Sequence, residues 1–168
     1  MSHPMTAAQF VGHVKTPLGR IALTSDGQNI TGLAIERHGQ LPWGDDSDAT
    51  VAVLETAKTQ LLEYFAGSRK AFDLPIEVAG TAFQKAVWEE LNLLPFGAVA
   101  SYADIGRATG RESAARAVGG AIGANPVPII VPCHRVLGSN KTITGYSAGD
   151  GISTKAWLLD HEGIEHRA

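Results

Sequence analysis

The chain has 168 residues, 44% of them hydrophobic and 18% charged, with a formal net charge of -3. That is enough apolar material for one compact domain or two small ones sharing a core, and it argues against a disordered chain and against a protein that holds nucleic acid by bulk charge alone. A single cysteine, Cys133, excludes an internal disulfide framework, and no apolar run approaches membrane-spanning length.

In chain order, the opening MSHPMTAAQF lacks a basic start followed by an apolar run, so no signal peptide is expected, and a free thiol suits a reducing cytoplasm. RIALTSDGQNITGLAIE (20–36) alternates Ile21 and Leu23, turns at Asp26-Gly27, and alternates again at Leu33 and Ile35, which predicts a hairpin. HGQLPWGDDSDAT (38–50) is turn-rich and acidic, and reads as a surface loop. VLETAKTQLLEYFAG (53–67) spaces Leu54, Ala57, Leu61 and Phe65 at helical intervals and stops at Gly67. AFDLPIEVAG (71–80), with Pro75 and Gly80, marks a boundary between a domain over 1–79 and one over 80–168.

The second half opens on Thr81 with Gln84 three residues later, a capping-box pattern, and Phe83, Val87, Trp88, Leu91 and Leu94 then trace one apolar face. Ser101 with Asp104 is a second box, opening a short helix that ends near Thr109-Gly110. A GRES turn and a helix over about 113–123 follow, giving either a helix-turn-helix or an ordinary packed pair. SAARAVGGAIGAN is nearly all Ala and Gly around Arg116, although each interior glycine costs roughly 1 kcal/mol against alanine. A surface that smooth suits close approach, by another helix or by a nucleic-acid groove. Pro126, Pro128 and Pro132 then forbid a helix and favour a rigid, partly extended segment. GSNKTITGY (138–146) predicts a hairpin, a wing. STKAWLLDHEG (153–163) predicts a helix capped by Ser153, with Trp157 and Leu158 or Leu159 inward, Gly163 past its end and a frayed tail of five residues.

Most lone cysteines are small buried hydrophobes. Against that reading, prolines stiffen the backbone around Cys133, and His134 beside it can act as base or stabilise a thiolate. Glu162, on the late helix, can orient the histidine. One cysteine is a poor start toward a four-ligand zinc site, and His161 and His166 read as surface residues.

PCHRV (132–136) resembles the active-site signature of the O6-alkylguanine-DNA alkyltransferases, the methylated-DNA–protein-cysteine methyltransferases. GTAFQKAVWEEL (80–91), PFGAVASYADIG (95–106), ARAVGGAIGANPVPIIVPCHRV (115–136), TGYSAG (144–149) and KAWLLDHEG (155–163) fit the same family in order and spacing. The resemblance covers nearly all of 80–163 and reaches the first 75 residues at fold level only. It implies an α+β protein, with a small ribonuclease H-like α/β N-terminal domain and a winged helix-turn-helix C-terminal domain.

The implied reaction is direct reversal of DNA damage. The alkyl group of O6-alkylguanine, or less readily O4-alkylthymine, in double-stranded DNA moves irreversibly to Cys133, with no cofactor and no metal. The resemblance implies His134 as base, acting through a water, and Glu162 as its holder, so that part of Cys133 is thiolate at neutral pH. Tyr102 becomes a proton donor to the leaving guanine, Arg116 the side chain that fills the gap after base flipping, and Asn125 the tie between recognition helix and cysteine loop. Ser101, Tyr102, Ala115, Ala117 and Gly119 become DNA contacts from the minor-groove side, and Val136, Tyr146, Ser147 and Lys155 the alkylguanine pocket. A cytoplasmic monomer with no membrane partner is implied.

Two departures stand out. The wing turn reads Ser139-Asn140-Lys141 where Asp-Gly or similar is usual, and the stretch from Tyr146 to Lys155 is two residues longer than in members with the tighter YxGG spacing. Two rivals are a non-catalytic alkyltransferase-like DNA binder, which carries tryptophan where this chain has Cys133, and a Cys-His-Glu hydrolase or acyltransferase, which needs an oxyanion hole that no motif clearly supplies.

Overall fold

The computed structural model describes residues 9–43, 48–111 and 114–167. The chain divides into two compact units between Val78 and Ala79.

In the first unit three strands, β1 (Phe10–Thr16), β2 (Gly19–Ser25) and β3 (Ile30–Ile35), form an antiparallel sheet in the order β1-β2-β3. The predicted β2–β3 hairpin is present, with Asp26 Oδ1 accepting from the backbone N–H of Gln28 and Asn29 across the turn. β1 was not predicted, because FVGHVKT carries no clean alternation. Its Gly12 is buried beneath the Lys58 side chain and beside Leu54 of the following helix. That helix, α1 (Ala52–Ala66), buries Leu54, Ala57 and Leu61 and ends on a left-handed Gly67. Tyr64, rather than the expected Phe65, is its fully buried aromatic. The boundary segment contributes a one-residue parallel bridge from Ile30 to Ile76, which is as much as a stretch broken by Pro75 supports.

The second unit begins with α2 (Ala82–Asn92), whose Thr81–Gln84 capping box is formed in both directions. Two-residue strand β4 (Ala100–Ser101) leads into α3 (Tyr102–Ala108) through the Ser101–Asp104 box, and α4 is Ala115–Gly123. These three helices pack on one another, and Trp88 Nε1 donates to the Ala121 carbonyl at 2.8 Å. Residues 112 and 113 of the expected turn lie outside the described residues, as do 44–47 of the acidic loop and 1–8 of the opening segment.

From Asn125 the chain leaves the helix as expected but is less extended than its prolines suggested. It bends at 126–127 and turns at 129–130, where Val131 N–H donates to the Val127 carbonyl at 2.9 Å, and it is wholly buried over 127–137. Buried Ile129 adopts φ 75°, a left-handed backbone that costs a β-branched residue on the order of 1–3 kcal/mol. The segment is held in that shape by Asn125, whose Nδ2 donates to the Val131 carbonyl at 2.8 Å and whose Oδ1 accepts from Val127 N–H at 3.0 Å. One 3-10 turn, Cys133–Arg135, carries the cysteine.

The predicted wing hairpin takes a different form. β5 (Val136–Leu137) pairs in parallel with β4, and Ser139–Lys141 makes a 3-10 turn with Asn140 and Lys141 both left-handed. A bond from Gly138 N–H to the Thr142 carbonyl at 2.8 Å closes it. The expected frayed tail is instead tied to this turn. Ile143 N–H donates to Arg167 O, Arg167 N–H donates to Lys141 O, and Ile164 is buried. The last helix, α5 (Ile152–His161), starts from a positive-φ Gly151, so Ser153 is not its cap, and Thr154 Oγ1 accepts from Asp150 N–H instead. Leu158 and Leu159 face inward, whereas Trp157 is half-buried and stacks on His161. No described helix is long and apolar enough to cross a membrane.

Candidate active site

The rigid segment after Asn125 delivers Cys133 to the floor of a cavity of about 540 Å³. One wall is α4, through Ala115, Gly119, Ile122 and Gly123, and the other is the chain from Thr144 to Ser147, with Tyr102 and Lys155 completing the lining. Cys133 is 4% exposed, so the cavity is its approach from outside.

Burial pushes the Cys133 thiol up, opposed by the polar side chains of Asn125 and Tyr146 and by the charge of Lys155. Burial therefore works against the expected thiolate at neutral pH, while Asn125, Tyr146 and Lys155 surround the sulfur where its charge forms. Lys155, buried, donates to the Val136 carbonyl at 2.7 Å and the Gly145 carbonyl at 3.2 Å, tying the cysteine turn to the opposite wall. Burial lowers its ammonium to about 8.

Behind the cysteine, His134 Nε2 lies 2.7 Å from Glu162 Oε2, and both side chains are fully buried. Arg135 grips the same carboxylate with a fork, Nε donating to Oε1 at 2.8 Å and Nη2 to Oε2 at 2.9 Å. Gly97 N–H adds a further bond to Oε1 at 3.1 Å. A carboxylate so surrounded is ionised and acceptor-only, so His134 Nε2 must carry the hydrogen. Burial also pushes the His134 imidazole down, keeping it neutral. Its Nδ1, buried and without a hydrogen-bond partner among the described residues, then holds a free lone pair.

Tyr102, at the start of α3, has its hydroxyl oxygen occupied by a donor, Thr144 Oγ1 at 2.9 Å, so the phenolic proton is left to give away. Ser147 Oγ donates to the Gly123 carbonyl at 2.8 Å, fastening the longer loop to the end of α4.

Among the residues singled out from sequence, Cys133, Tyr102, Ala115, Gly119, Tyr146, Ser147 and Lys155 line one cavity. His134, Glu162 and Asn125 stand outside that lining and hold the cysteine segment and its hydrogen-bond network. Val136 joins through its carbonyl. Arg116 and Ala117 are exposed on α4 and do not line the cavity, and Ser101 spends its hydroxyl and N–H on the cap of α3. Sequence reasoning missed Arg135, Thr144 and Gly97. A charged residue inside an apolar run, next to His134, was the one available signal for Arg135.

The glycines of α4 bear on the choice left open by the sequence. A Cβ at Gly119, Gly120 or Gly123 would meet nothing within 4 Å. Internal packing therefore does not require them, although each costs helix propensity against alanine. Among the described residues no group of His, Cys, Asp or Glu could hold a metal ion.

Residues 82–164 match the family model described as 6-O-methylguanine DNA methyltransferase, DNA binding domain, and residues 10–78 match the ribonuclease-like domain of the same family. A Bacillus subtilis relative named methylated-DNA–protein-cysteine methyltransferase, constitutive, is 43% identical over 157 residues, spanning 91% of this chain and 94% of its own. A Haemophilus influenzae methylated-DNA–protein-cysteine methyltransferase is 35% identical over 166 residues, 96% and 90% of the two chains. The crystal structure of Mycobacterium tuberculosis O6-methylguanine methyltransferase superposes with a TM-score of 0.81 at 37% identity, covering 92% of this chain and 93% of that one. The OGT of the same organism in complex with DNA gives 0.80 at 36% identity, covering 91% and 92%.

Proposed function

The chain belongs to the 6-O-methylguanine DNA methyltransferase family and is a DNA repair methyltransferase, and we propose that Cys133 is its alkyl acceptor. The lesion is O6-alkylguanine, and less readily O4-alkylthymine, in double-stranded DNA. The observation that carries the assignment is the sulfur at the floor of a cavity whose wall is a smooth, exposed helix, α4. A flipped base fits such a site, because the helix can approach the groove closely while the base enters the cavity.

In the reaction the Cys133 thiol proton passes to His134 Nδ1, directly or through a water, and the sulfur attacks the alkyl carbon. The S–C bond forms as the O6–C bond breaks. The guanine leaves as an anion and takes a proton at N3 from Tyr102, which balances the proton lost by sulfur. Asn125, Tyr146 and Lys155 stabilise the sulfur while it is charged. Val136, Ser147 and the Tyr146 backbone read the base, and Arg116, with Ala115, Ala117, Gly119 and Ser101, meets the DNA. The thioether has no second thiol to pass to, so each molecule acts once. We place the protein in the cytoplasm, as a monomer that needs no cofactor.

The test is Cys133→Ser. A serine hydroxyl is a far poorer nucleophile near neutral pH. Transfer of labelled methyl from an O6-methylguanine duplex should vanish while duplex binding persists. Label on the serine protein would overturn the assignment.

A further inference from the structure

We infer that Arg135 is a positioning residue that sets the proton balance of the Cys133 site through Glu162. The inference rests on the proposed Cys133–His134–Glu162 relay and extends it to a group that never meets the alkylated base.

Three of the guanidinium nitrogens are committed. Nε and Nη2 fork onto the two oxygens of Glu162, and Nη1 donates to the Leu94 carbonyl at 2.6 Å. The guanidinium also lies over the Phe96 ring, 6.0 Å from its centroid. Arg135 is 6% exposed, so the pair is cut off from the screening of solvent. Such a fork fixes the plane of the carboxylate, and with it the direction in which His134 Nε2 must point.

The fork also has an electrostatic consequence. A buried carboxylate facing a histidine alone would pull a proton onto the imidazole, making both ring nitrogens donors. A protonated Nδ1 cannot take the cysteine's proton. The groups acting on His134 are Glu162 from the end of α5, Arg135 on the same turn and Lys155 from α5, with Cys133 adjacent in sequence. Glu162 draws a proton toward the imidazole, whereas Arg135 and Lys155 oppose it. By sharing the charge of Glu162, Arg135 lets the carboxylate orient the base without protonating it.

The experiment measures the rate of benzyl transfer from free O6-benzylguanine against pH, which removes DNA binding from the readout, for the wild type, Arg135→Met, Glu162→Gln and the double variant. Arg135→Met should move the ascending limb of the profile up by about one pH unit or more, slowing the reaction about tenfold below the limb and less above it. A merely structural arginine would lower the rate equally at every pH. In the Glu162→Gln background the arginine substitution should move the limb much less, since only its direct charge effect on His134 then remains.

Should Arg135→Met fail to fold, Arg135→Lys takes its place in the same cycle. It keeps the cation but not the fork, and a smaller shift that again shrinks with Glu162→Gln is expected. An unmoved limb, or a shift that persists undiminished without Glu162, overturns the inference. A Glu162→Gln protein as fast as the wild type would instead sink the relay itself.

Discussion

Lys155 Nζ lies 2.7 Å from the Val136 carbonyl oxygen, a buried ammonium fastened to the backbone three residues after the cysteine. Its proton is lost near 8 in the folded protein and at the ordinary 10.5 once unfolded, because burial disfavours the charge. Between those values the unfolded chain binds more protons, so this group makes stability rise with pH. Below about 8 its penalty is fully present.

To keep the cysteine's own titration out of the comparison, the measurement is made with Cys133→Ser as parent. Urea unfolding of the parent and of Cys133→Ser/Lys155→Met should show the parent gaining on the double variant, by about 3 kcal/mol, as the pH rises to 10.5, with the onset at or below about 8 because the raising influence of Cys133 is gone. A flat difference would show that Lys155 is not desolvated. With Cys133 intact, Lys155→Met should raise the thiol pKa further, read as thiolate absorbance in the ultraviolet.

Gly120 separates the needs of the fold from those of the DNA. It sits exposed within α4 with open space where a Cβ would go. Gly120→Ala should stabilise the protein by about 0.5–1 kcal/mol through helix propensity. The same methyl should hinder close approach to the groove, slowing repair of a methylated duplex but not reaction with free O6-benzylguanine. Faster duplex repair together with the gain in stability would remove DNA contact as the reason for the glycine.

Arg116 is the one long side chain in the Ala- and Gly-rich stretch that opens α4, and it is exposed. Extruding a base costs a few kcal/mol, and only a duplex substrate incurs it. Arg116→Ala should therefore slow duplex repair far more than the free-base reaction, measured side by side. Equal slowing of both would remove it from the extrusion step.

What the sequence disclosed follows from how local each feature is. The capping boxes at Thr81–Gln84 and Ser101–Asp104 are complete within four residues and formed as read. PCHRV was legible because its chemistry is contiguous. The Arg135 fork was not, since its partners, Leu94 and Glu162, lie 41 and 27 residues away. β1 was hidden because FVGHVKT, with Gly12 at a buried position, carries no clean alternation. The wing and tail were misread for one reason: a strand at Val136–Leu137 and a bridge from Thr142 to Arg167 are set by tertiary pairing, which outweighs turn propensity. The burial that acts against a Cys133 thiolate is set by tertiary packing, which adjacency to His134 does not reveal.

The central claim, that Cys133 is the one-time acceptor, is tested most directly by intact mass after incubation with an excess of O6-methylguanine duplex, followed by peptide mapping. The account predicts a single methyl added to each chain, located on Cys133, with repaired guanine formed in equal amount and no more on longer incubation. A methyl on any other residue, an unmodified protein beside repaired DNA, or repair well beyond one equivalent would contradict it.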